Sequence, residues 1–83
     1  MLKHEVGAAD EAQRLWQEVH DLYVTLDVPA GVAESAARLA LLAQRRGDPQ
    51  QSREWLIKAS AAADATDDPE TLQYVREVRA QFL

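Results

Sequence analysis

The residues with the clearest potential for acid–base or metal chemistry are the two histidines, His4 and His20. A zinc site needs about four ligands within reach, for example two histidines one turn apart on a helix. The residues one turn from His20 on the same helical face are Trp16, Gln17, Tyr23 and Val24. None of these is a strong metal ligand, so we predict a solvated His20 and no metal site.

The acidic run Asp67-Asp68-Pro69-Glu70 is the second group that could bind a cation. A calcium loop needs about twelve residues with alternating oxygen ligands, and this run is too short to supply them. An aspartate directly before a proline is typical of the start of a helix. We therefore predict that this run caps a helix.

Other sequence patterns used in catalysis are missing from the chain. The glycines are isolated from one another, so there is no glycine-rich loop that could bind phosphate. The serines, Ser35, Ser52 and Ser60, lack the flanking glycines of a nucleophile elbow. We predict that the protein is not an enzyme and binds no cofactor.

The composition is that of a small folded domain. The chain has 83 residues, and 47% are hydrophobic against 28% charged, which argues against disorder. The net charge of −5 disfavours a nucleic-acid partner, and no apolar run approaches the ~18 residues of a membrane span. Cysteine and a signal-peptide pattern are both missing. We expect one domain, residues 1–83, in the cytoplasm, with no nucleic-acid or membrane partner.

Apolar periodicity predicts four helices, at residues 8–26, 30–46, 49–65 and 69–82. Three prolines, 20 residues apart, mark the starts of the last three helices, and each follows an aspartate by one or two positions. The sharpest break is at Gly47 and Asp48. The glycine can take the left-handed conformation that ends a helix, and the aspartate can cap the next one.

Two of the helices have patterns that indicate how they pack. The first carries one apolar stripe, predicted to face the core: Ala12, Leu15, Trp16, Val19, Leu22, Tyr23 and Leu26. Residues 1–7 before it show no period and are predicted to be a frayed lead-in. The second helix is apolar nearly all round, so we predict it in the middle of the domain. Ala40 is predicted to lie at a close crossing of the second and third helices.

The stretch 34–59 resembles the tetratricopeptide repeat (TPR), a family built from pairs of antiparallel helices. The residues that carry the resemblance are Ala36, Leu39, Ala40, Ala43, Gly47, Asp48, Ser52, Leu56 and Ala59. A helix start every 20 residues makes a pair every 40, which is similar to the longer variant of the repeat. The sequence departs from the family at Ala36, where a tryptophan is usual, and at Arg79, where a small residue is expected.

The resemblance implies an all-α fold of antiparallel helical hairpins, arranged as a fragment of a right-handed solenoid. It also implies a non-catalytic protein–protein interaction module that binds a peptide or helix of a partner, as in bacterial regulators and adaptors. The residues that correspond to the family's binding groove are Glu34, Ala37, Leu41, Gln44 and Arg45 on the second helix, and Gln73 and Arg76 on the fourth. Tyr74 lies off the apolar stripe of the fourth helix. It is either a further anchor for a partner or an incidental surface residue, since tyrosine is enriched at interfaces.

Two other arrangements fit the same pattern. The helices could form a generic four-helix bundle instead of a solenoid fragment. The open faces of a short solenoid could also pair between two chains, which would make the protein a self-associating, homodimeric structural module.

Overall fold

The computed structural model describes the backbone of residues 2–82 and the side chains of residues 10–82. The elements are α1 (Leu2–Leu26), α2 (Pro29–Arg45), α3 (Pro49–Asp64) and α4 (Pro69–Ala80). No strand occurs in this range, so the predicted all-α class is confirmed. The bounds of the last three helices agree with the prediction within two residues.

The predicted start of the first helix is wrong. Residues 1–7 are predicted to be frayed, but α1 begins at Leu2 and continues through Gly7. A single glycine inside a helix costs only about 1 kcal/mol relative to alanine, and the alanines that follow it are good helix formers. His4 lies outside the residues whose side chains are described.

The breaks before α3 and α4 follow the local signals in the sequence. Gly47 ends α2 with a φ of +75°. The Asp48 side chain accepts a hydrogen bond from the Gln51 amide at 3.1 Å and so caps α3. Asp68 caps α4, accepting from the Glu70 amide at 3.2 Å. Both predicted caps are confirmed.

The break between α1 and α2 is built differently. Asp27 has a φ of +57°, a left-handed conformation that aspartate tolerates better than most residues, so it ends α1. Val28 is extended, as expected of a residue before a proline, and no side chain caps α2. The Val28 amide donates to the Tyr23 carbonyl at 3.0 Å, which turns the chain sharply into α2.

Helix α2 lies at the centre of the fold, because it packs against α1, α3 and α4. Its buried apolar side chains are nearly all small: Ala33, Ala36, Ala37, Leu39, Ala40 and Ala43. Small side chains permit a close approach, and α3 meets them with Ala59 and Ala63. Val75 and Val78 of α4 join the same core. Consecutive helices pack side by side across connections of two to four residues, which makes them antiparallel.

The face that α1 turns inward differs from the prediction. The predicted core residues Leu15, Leu22 and Leu26 are exposed, with exposed fractions of 57%, 56% and 60%. The α1 side chains that contact α2 are Trp16, His20 and Tyr23. In the described part of the chain, α2 is the one helix whose backbone packs beside α1, so only a narrow face of α1 is covered. The face that carries Trp16, His20 and Tyr23 packs against α2 because Gly31 of α2 leaves room for the ring of Tyr23.

Candidate functional site

A stack of side chains on the surface of α2 connects α1 with α4. The guanidinium carbon of Arg38 lies 5.3 Å from the ring centroid of Trp16 in α1 and 5.3 Å from that of Tyr74 in α4. Cation–π contacts at exposed sites contribute about 0.5–1 kcal/mol each. Glu34 approaches Arg38 to 4.0 Å, but an exposed ion pair of this length adds little. Arg38 is therefore held mainly by the two rings.

Tyr74 is half-buried rather than exposed. Its ring packs against the core, and its hydroxyl oxygen is buried without a hydrogen-bond partner among the described residues. Burial raises the pKa of the Tyr74 hydroxyl, and the charge of Arg38 acts in the opposite direction. A buried hydroxyl without a partner lowers the free energy of unfolding.

A groove of about 490 Å³ opens beside Tyr74, where the end of α1 meets the starts of α2 and α4. We call it the α2/α4 groove. It is lined by Tyr23, Val28, Ala30, Gly31, Glu34, Asp68, Glu70, Thr71 and Tyr74. The charged members of this lining are all carboxylates, namely Glu34, Asp68 and Glu70. The groove therefore favours positively charged groups.

Two of the predicted site residues, Glu34 and Tyr74, line the α2/α4 groove. Ala37 does not, because α2 is packed against three helices and the short side chain of Ala37 is fully buried. Leu41 is half-buried against the core. The other predicted residues are exposed but lie outside this groove: Gln44, Arg45, Gln73 and Arg76. The structure thus brings together part of the predicted set.

A larger groove of about 820 Å³ lies between α1 and α3, and we call it the α1/α3 groove. It is lined by Gln17, His20, Asp21, Val24, Thr25, Val32, Trp55, Lys58, Ala61 and Ala62. Nothing in the sequence pattern indicates this groove, because its walls come from helices that are not neighbours in the chain. Its lining is mostly uncharged, with one acid, Asp21, and one base, Lys58.

His20 lines the α1/α3 groove and is nevertheless buried, with an exposed fraction of 7%. Its Nδ1 atom lies 2.9 Å from the Ser35 hydroxyl oxygen, and that oxygen lies 2.8 Å from the Gly31 carbonyl. The Ser35 hydroxyl also lies 3.1 Å from the Val32 carbonyl, so its proton has two backbone acceptors within reach. The tautomer of His20 sets which of His20 and Ser35 donates in the bond between them. The imidazole also meets the ring of Trp55 edge-on at 4.9 Å. The prediction of a solvated His20 is therefore wrong. The one hint in the sequence was Ser35, a polar residue in the mostly apolar helix α2, which indicates a polar partner inside the fold.

Burial lowers the pKa of His20 below its usual value of 6.5. The carboxylate of Asp21 opposes this shift, and the ammonium group of Lys58 reinforces it. His20 is therefore neutral at pH 7 and acts as a structural contact between α1 and α2.

The described side chains, residues 10–82, contain no group of three or more histidine, aspartate or glutamate residues that could hold a metal ion. None of the helices in residues 2–82 is long and apolar enough to cross a membrane. Comparisons of the chain with protein-family models, with curated proteins and with solved structures found no match.

Proposed function

We propose that this protein is a non-catalytic protein–protein interaction module that binds a basic peptide segment of a partner in the α2/α4 groove. The observation that carries the proposal is the acidic lining of this groove, in which the side chains of Glu34 and Glu70 are exposed. A groove lined by several carboxylates fits a ligand that carries a cationic side chain.

The resemblance of the stretch 34–59 to TPR motifs supports the same groove. In that family the first helix of each pair lines the peptide-binding surface, and the corresponding helices here are α2 and α4. Glu34 of α2 and Tyr74 of α4 both line the α2/α4 groove. The central position of α2, with helices packed around it, is compatible with a solenoid fragment.

The three carboxylates of the groove are not equivalent. Asp68 accepts hydrogen bonds from the Glu70 amide at 3.2 Å and from the Thr71 hydroxyl at 2.7 Å, so it is engaged in capping α4. Glu34 lies 4.0 Å from Arg38, which partly balances its charge. Glu70 is exposed in the first turn of α4. We therefore expect a lysine or arginine of the ligand to approach Glu70.

Titration with short fluorescent peptides that carry lysine, glutamine or glutamate at the same positions tests the charge preference. The lysine peptide should bind best, and its affinity should fall as salt is added, because the charges involved are exposed. Glu70→Gln should weaken this binding about two- to fivefold, as expected for one exposed ion pair. Glu77→Gln is the matched control, because Glu77 is exposed on α4 outside the groove.

Tyr74→Phe is a second control, because it removes a buried hydroxyl and leaves the carboxylates of the groove in place. Loss of an unpartnered buried hydroxyl should leave the free energy of unfolding unchanged or raise it. The same change should leave the affinity for the lysine peptide unchanged, because the hydroxyl is too deeply buried for a ligand to reach. Equal affinity for the three peptides, or binding that Glu70→Gln does not weaken, would contradict the proposal.

A further inference from the structure

The outer face of α1 carries a row of apolar side chains that the rest of the described chain leaves largely uncovered. We call this row the α1 stripe, and its members are Ala12, Leu15, Val19, Leu22 and Leu26. The three leucines are each more than half exposed, and the alanine and valine are partly exposed. A row of large exposed apolar side chains on one helix marks a surface for contact with another molecule.

The spacing of the α1 stripe is that of a coiled coil. Its members are separated alternately by three and four residues, which is the spacing of the a and d positions of a heptad repeat. In the sequence, the same spacing continues backwards to Ala8 and stops there, because the next position is Glu5. The row from Ala8 to Leu26 is about 28 Å long at ~1.5 Å per residue. This length accommodates between two and three heptads.

The α1 stripe is separate from the face that α1 uses within the protein. The contacts of α1 with other helices include Trp16 with Arg38, His20 with Ser35 and Trp55, and Tyr23 with Gly31. None of these three α1 residues belongs to the stripe. Helix α1 thus has a second apolar face, which the described part of the chain leaves largely uncovered.

We propose that the α1 stripe pairs with the α1 stripe of a second copy of this chain. A heptad row is complementary to another heptad row, because the side chains at a and d fit between those of a helix with the same period. Among the described residues, the exposed large hydrophobic side chains outside α1 are Val28 and Ile57, and they form no row. Within the described residues, the surface of a second copy that matches the stripe in period is therefore its own α1. Such a contact is two-fold and closed, and it is independent of the α2/α4 groove.

The length of the α1 stripe predicts a weak, reversible dimer. A contact about 28 Å long, from the helical rise, and about 10 Å wide, from the diameter of a helix, covers roughly 300 Å² on each copy. Even doubled, to allow for the uneven surface that side chains make, that footprint stays below the roughly 800 Å² that each partner buries in a standard stable interface. The pairing should therefore depend on protein concentration.

The charges on α1 make the pairing sensitive to salt. Between residues 10 and 26, α1 has four acids and one base: Asp10, Glu11, Glu18 and Asp21 against Arg14. Two copies of an acidic helix repel each other, and salt screens the repulsion, so added salt should strengthen the dimer. A basic helix of a different protein would instead be attracted to α1, and salt would weaken that complex.

Sedimentation equilibrium of the full chain over a concentration series tests the pairing. We expect a monomer–dimer equilibrium that shifts towards the dimer as salt is added. Leu22→Ser should raise the dissociation constant about tenfold or more, because one leucine of each copy is lost from the contact. Ile57→Ser is the matched control, because Ile57 is exposed on α3 outside the stripe. This control should leave the dissociation constant unchanged.

Both substituted side chains are exposed in the monomer, so thermal unfolding at low concentration should show that both variants fold like the wild type. A wild-type monomer at every concentration would overturn the pairing, as would growth beyond a dimer. A dimer that Leu22→Ser does not weaken, or that Ile57→Ser weakens equally, would overturn it as well.

Discussion

The ring of Tyr23 in α1 fills the space that a side chain at Gly31 of α2 would occupy, since a Cβ atom at position 31 would overlap the ring. This contact sets how closely the end of α1 approaches the start of α2. Both residues line the α2/α4 groove, so the same contact shapes the wall of the proposed binding site.

We expect Gly31→Ala to destabilise the protein. The added methyl group overlaps the ring of Tyr23, and overpacking of this kind typically costs about 1–3 kcal/mol. The higher helix propensity of alanine offsets up to about 1 kcal/mol of that cost. Urea unfolding gives the difference. In a Tyr23→Ala background the same change should be neutral or stabilising, and an equal loss in both backgrounds would show that the ring is not the cause.

The buried His20 predicts a loss of stability at mildly acidic pH. Because the folded state lowers the pKa of His20, the unfolded chain takes up a proton near pH 6.5 while the folded chain does not. The free energy of unfolding should therefore be constant above this pH. Below pH 6.5 the free energy of unfolding should fall by at most about 1.4 kcal/mol per pH unit, until His20 in the folded protein is also protonated.

Urea unfolding between pH 7.5 and about pH 5, where most carboxylates are still ionised, measures this slope. His20→Gln should flatten the pH dependence in that range, because the titrating group is gone. A slope that survives in His20→Gln would assign the effect to another group.

Loss of the cap at the start of α3 should cost about 1 kcal/mol. In Asp48→Ala the Gln51 amide loses the acceptor that now lies 3.1 Å away. The urea midpoint of this variant should fall below that of the wild type. Asp67→Ala is the comparison, because Asp68 and not Asp67 caps α4, and its effect should stay within about 0.5 kcal/mol. Equal midpoints for Asp48→Ala and wild type would mean that the cap contributes nothing.

The crossing of α2 and α3 should tolerate only small residues. Ala40 is fully buried on the helix that packs most closely against α3, so Ala40→Phe should cost about 1–3 kcal/mol through overpacking. Ala61→Phe is the control, because Ala61 is exposed on α3. Urea unfolding compares the two variants. A stable Ala40→Phe would show that the crossing has spare volume.

The candidate site was only partly predictable from the sequence. Glu34 and Tyr74 are in the predicted set and line the groove, but Tyr74 is half-buried and packs against the core and Arg38, which lies on a different helix. His20 likewise bonds to Ser35, 15 residues away. Contacts over such distances have no signal within one helical turn, so apolar periodicity could not reveal them.

The number of helices and the places where they break were determined by the sequence alone. Gly47 and Asp48 end one helix and start the next through contacts within one turn of the chain. The proline at the start of each of the last three helices acts equally locally, so no distant residue is needed to set the helix ends. The inward face of α1 was decided only by the tertiary structure. Leu22 and Tyr23 are adjacent in α1, and periodicity alone cannot rank the two apolar faces on which they lie. The ring of Tyr23 is turned inward because a glycine on α2, a different helix, leaves space for it.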